Sequence, residues 1–111
     1  MVERGIDAYF TYGKLIETGA NSSTEINDSD DIYIPIKAFM ETSTVINGEI
    51  LGQNNALKLN PTVMGTQFFK HQFFTSPLII NNLADDVLYI EFIIVSYTSN
   101  KPEKKMNLTT V

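Results

Sequence analysis

The chain has 111 residues, 43% of them apolar and 19% charged, with a formal net charge of −5 and no cysteine. That length suits a single core, and so small a charged share excludes a solvating, disordered chain. The acidic balance argues against nucleic acid as a partner, because phosphate binding needs a dense basic surface. The missing thiols exclude disulfide frameworks, thiolate zinc sites and cysteine nucleophiles.

The opening "MVERGIDAYF" lacks a basic stretch followed by an apolar one, so no signal peptide is read there. The longest apolar runs, Val87 to Ile90 and Phe92 to Val95, are separated by Glu91. Neither approaches the roughly 18–20 residues of a membrane span. The expectation is a soluble chain made without a secretion signal, with no membrane partner.

In chain order the pattern reads almost wholly as strand. "IDAYFTYGKLIET" forms a long first strand, with Gly13 as a candidate bulge. "ETGANSSTEINDSDD" reads as the longest loop. In "DIYIPIK", Ile32, Ile34 and Ile36 face one way and Tyr33, Pro35 and Lys37 the other. Pro35 cannot donate to a ladder, which places this strand at an edge or at a bulge. "METSTVINGEIL" predicts a hairpin turning at Asn47-Gly48, since a type I′ turn needs two residues with positive φ. "NALKLNP" is a short strand stopped by Asn60-Pro61. "TQFFKHQFF" is another, ended by Ser76-Pro77.

"LIINNL" and "VLYIEFIIVSY" are expected to pair across a turn at Ala84-Asp85-Asp86. A helix capped by Asn82 is the rival reading of the last segment, but its β-branched and aromatic content favours a strand. The sum is an all-β, single-domain β-sandwich or jelly roll of about seven to eight short antiparallel strands. It occupies residues 1–97, with a polar C-terminal arm over 98–111.

Chemistry is sparse. His71 is the only histidine, with no second imidazole or thiolate to complete a zinc site and no nucleophile elbow beside it. Asp28-x-Asp30 resembles the opening of a calcium loop, but the glycine and glutamate that should follow are missing. A looser calcium site in 25–31 stays open. Phe68, Phe69, Phe73 and Phe74 with Tyr9 and Tyr12 are read as core rather than as a sugar platform, because neighbouring residues on a strand face opposite sides. No catalytic residue, metal or cofactor is expected.

The last segment carries the strongest lead. Leu88, Ile90, Phe92 and Ile94 line one face of the strand, and Val87, Tyr89, Ile93, Val95 and Tyr97 the other, interrupted only by Glu91. A sandwich strand normally shows one face to water, so two apolar faces call for a covering loop or a neighbouring subunit. Tyr89, Ile93, Val95 and Tyr97 are therefore candidate interface residues. Beyond them, Lys101, Lys104 and Lys105 against Glu103 give the arm a net +2, leaving −7 on the rest of the chain. Such an arm suits an acidic second copy, with Leu108 and Val111 in an extended end that can add to an open sheet edge, the Pro35 strand being one acceptor.

The expected function is non-enzymatic: a self-associating β-sandwich subunit of a larger particle, as in virion head, tail or decoration proteins, partnered by copies of itself or by other subunits. The alternative is a carbohydrate- or peptide-binding β-sandwich module.

Overall fold

The computed structural model describes residues 9–27, 30–42, 44–61, 66–70 and 72–97, the last without its side chain. Among them nine strands form: β1 (Tyr9–Thr18), β2 (Ser23–Ile26), β3 (Ile32–Phe39), β4 (Gly48–Leu51), β5 (Ala56–Lys58), β6 (Thr66–Phe68), β7 (Phe74–Thr75), β8 (Leu78–Asn82) and β9 (Leu88–Tyr97). No helix appears among the described residues, and hence none long and apolar enough to cross a membrane.

The strands make two antiparallel sheets packed as a sandwich. The larger runs β1-β9-β3-β6, with β7 also on β3, and the smaller runs β2-β8-β4-β5. If β6 and β7 are taken as one interrupted strand, first pairs with last, second with second-last, third with sixth and fourth with fifth. A long antiparallel ribbon folded at 52–55 and rolled up has this order, which is the jelly-roll topology.

The core lies between the sheets. Leu88, Ile90, Phe92 and Ile94 of β9 are fully buried and face Ile50 of β4 and Leu78 and Ile80 of β8. Tyr33 meets Phe92 edge-on, with ring centroids 5.7 Å apart. Each such side chain contributes roughly 1.5–3 kcal/mol by leaving water.

Several local expectations change. The 17–31 loop contains β2, which pairs with β8 and carries the core residue Ile26. Gly13 is no bulge, because the β1–β9 register runs unbroken from Tyr9↔Tyr97 to Thr18↔Leu88. For Pro35 the bulge reading holds, between Pro35 and Lys37, and the edge reading does not: β3 is interior to its sheet and offers no open edge.

Asn47-Gly48 does not turn a hairpin. Gly48, with φ at +155°, opens β4, which pairs with β5 and β8. A Cβ at this glycine would run into the Asn81 carbonyl, so close strand approach rather than turning requires it. The 66–74 segment breaks into β6 and β7. Finally, β8 and β9 follow one another but belong to different sheets, so 83–87 is a crossover and not a hairpin turn.

That crossover is held by Asn82. Its buried amide donates to the carbonyls of Thr18 (3.1 Å), Gly19 (2.9 Å) and Asp86 (2.7 Å), and its oxygen accepts from the Ala84 N–H at 3.0 Å. Two amide hydrogens shared over three carbonyls tie β1, β8 and the crossover together. Asp85 and Asp86 lie here as loop residues, Asp85 accepting from Asn21 and Asp86 from Thr42.

Candidate functional site

Residues directly opposite in an antiparallel pair share a face. On β9, Tyr89, Glu91, Ile93 and Val95 therefore lie on the outer face of the larger sheet, since Leu88, Ile90, Phe92 and Ile94 are the buried set. Their β1 partners are Glu17, Leu15, Gly13 and Thr11, and their β3 partners Phe39, Lys37, Ile34 and Ile32. The structure thus brings together three predicted residues, Tyr89, Ile93 and Val95. Tyr97 ends β9 opposite Tyr9, and its side chain lies outside the described residues, as do Lys101, Lys104, Lys105, Leu108 and Val111.

The face has two halves. At one end Tyr89 stacks on Phe39, and the phenol donates to Glu41 at 3.4 Å. Lys37 lies 3.6 Å from Glu91 and 5.7 Å from the Phe39 ring centre. These half-exposed charges are worth at most about 1 kcal/mol as a pair, but they supply a polar rim. The Tyr89 phenol is held above its ordinary pKa, first by desolvation and then by the carboxylates of Glu41 and Glu17.

At the other end nothing polar intervenes between Ile93, Val95, Ile32 and Ile34. Ile93 is 39% exposed and Leu15 51%. The nearest atoms that a side chain at Gly13 would meet are 3.9 Å away, so the sheet surface is open beside Ile93. The result is an apolar surface with a charged border.

Two contributions to it were hidden in the sequence. Ile32 and Ile34 of β3 face outward while Tyr33 and Pro35 are buried, and the bulge then turns Lys37 to the outer side. The alternation in "DIYIPIK" separates the two sets without saying which one is inside. Leu15 belongs to the patch only because β1 pairs with β9.

A second concave feature lies where the sandwich is open, between edge strands β5 and β6. This cleft of about 450 Å³ is lined by Lys58, Asn60, Gln67, Phe69, Lys70 and Gln72 among others. Its backbone is capped by side chains: Gln67 bonds both N–H and carbonyl of Asn60, and Gln72 donates to the Ala56 carbonyl. Of the aromatic residues read as core, Phe74 is buried and Phe69 packs against the core. Phe68, Phe73, Tyr9 and Tyr12 are exposed instead, Phe68 at 74%.

Among the described residues no three histidine, aspartate or glutamate side chains converge on a metal-sized site. His71 and Asp28 lie outside the described residues. No known protein family matches the chain, and no characterised protein matches its sequence.

Proposed function

We propose that this chain is a non-enzymatic assembly subunit that associates with copies of itself through the outer face of its β1-β9-β3-β6 sheet. The observation that carries the reading is the patch around Ile93: the exposed Ile93 and Leu15 with the partly exposed Ile32, Ile34 and Val95, on three neighbouring strands and bordered by Lys37 and Glu91. Contiguous apolar surface with a polar border marks contacts on soluble domains. Jelly rolls build virus shells among other things, and a head, tail or decoration protein of a virus particle is the assembly we favour, by analogy of fold alone. The test is the native mass of the full chain across a concentration series. A closed oligomer or polymer supports the reading, and a monomer at every concentration overturns it.

The β5–β6 cleft favours a second reading, a carbohydrate- or peptide-binding module. Its volume is within the range of small-ligand sites, about 300–1,000 Å³, and Lys58 and Lys70 give it a positive lining. Shifts of backbone amide resonances at 56–60 and 66–72 on adding small acidic saccharides or peptides would support it.

A further inference from the structure

We infer that β1 pairs antiparallel with β1 of a second copy about a two-fold axis through Gly13, joining two larger sheets into one. The inference rests on the self-association proposed above and adds to it a second contact, at the sheet edge, which leaves the outer face of the joined sheet free for further copies.

A sheet edge invites another strand, and proteins blunt their edges by shortness, proline, bulges or charge. Three of the four edges here are short: β2 has 4 residues, β5 has 3 and β6 has 3. β1 has 10, with no proline and no bulge. It also overhangs the smaller sheet. Only its far end meets β2, where the hydroxyls of Thr18 and Thr24 are 2.8 Å apart, while residues 9–15 are exposed on both faces. Tyr9, Phe10, Tyr12 and Leu15 are in that overhang, Tyr12 at 46% exposure.

The occupant follows from self-complementarity. On a chain of −5, β1 is neutral, with Lys14 balancing Glu17, so a second copy meets no net repulsion there. A two-fold axis normal to the sheet makes the strands antiparallel and keeps inner and outer faces continuous. Residues facing each other must then both be odd or both even. Only two such registers use all but one of the ten residues of β1. One, centred on Lys14, sets the two ammonium groups opposite each other, which is destabilising. The other, centred on Gly13, sets Tyr9 against Glu17, Phe10 against Ile16, Thr11 against Leu15 and Tyr12 against Lys14. Like charges are nowhere opposed, each aromatic gains a long or apolar neighbour, and the Ile93 patches of both copies become one surface.

The absence of cysteine makes the register directly testable. Facing residues have Cα atoms about 4.5–5.5 Å apart, which suits a disulfide. A side chain at position 13 meets only ordinary contacts at 3.9 and 4.0 Å, so Gly13→Cys should fold. Under mild oxidation Gly13→Cys is expected to convert to a covalent dimer. Thr11→Cys alone should not, because its two copies are about 13 Å apart along the strands. A mixture of Thr11→Cys and Leu15→Cys chains should give the mixed dimer, an arm that does not depend on changing the glycine. If the wild-type chain associates but neither Gly13→Cys nor the mixture cross-links, or Thr11→Cys links as readily, the β1 pairing is wrong and the self-association stands. If the wild-type chain is monomeric throughout and no variant links, both fall.

Discussion

Tyr89 and Phe39 lie ring on ring across the β9–β3 pair, centroids 5.3 Å apart and planes inclined by 16°. Stacking removes water from one side of the phenol, and Glu41 and Glu17 add negative charge nearby. Both effects favour the neutral form. Tyr89 should therefore titrate above an ordinary tyrosine in a phenolate absorbance titration, and Tyr89→Phe should remove that late-titrating component. Since the folded value is the raised one, its contribution to stability is complete below the ordinary tyrosine value and is lost as pH rises through the folded value.

Ile93→Lys places a charge at the centre of the apolar patch while the inner face of β9 keeps its packing. Being 39% exposed, the site should tolerate the change at a cost of about 1 kcal/mol. Native mass should fall, no further than the edge-paired dimer if β1 pairs as inferred, with the β spectrum unchanged. Unfolding in place of dissociation would show that the patch is covered within the subunit.

Gly48→Ala should cost about 1–3 kcal/mol, read as a lower denaturant midpoint. The backbone there has φ at +155°, and the added methyl collides with the Asn81 carbonyl on β8. The neighbouring Asn47→Ala should be close to neutral, because Asn47 does not take positive φ.

Asn82→Ala leaves three carbonyls and the Ala84 N–H without their partner. A loss of about 3 kcal/mol is expected, and hydrogen exchange should rise first in the 83–87 crossover. Asp86, on the same crossover, is held below its usual carboxylate pKa by the Thr42 hydroxyl and the Val87 N–H. Its contribution is present above the ordinary aspartate value and lost as pH falls through the folded one. Thr42→Val should weaken that acid dependence.

Residue type alone determined the class of this fold. Alternating β-branched and aromatic segments cannot bury one face as helices, so "LYIEFIIVSY" and "YFTYGKLIET" became long strands, and the two apolar faces of β9 pointed to the outer patch before any pairing was known. Pairing itself was not legible, because period-two alternation separates the two faces of a strand but does not name its neighbour or its inside. Thus Ile32 and Ile34 of β3 turned outward, β2 emerged from a polar loop once β8 offered it a ladder, and Asn47-Gly48 gave up its hairpin because Gly48 was needed against Asn81. The patch around Ile93 exists only because β1 and β3 flank β9. That adjacency is a long-range contact, set when the two sheets close over a common core, and no local stretch of the chain encodes it.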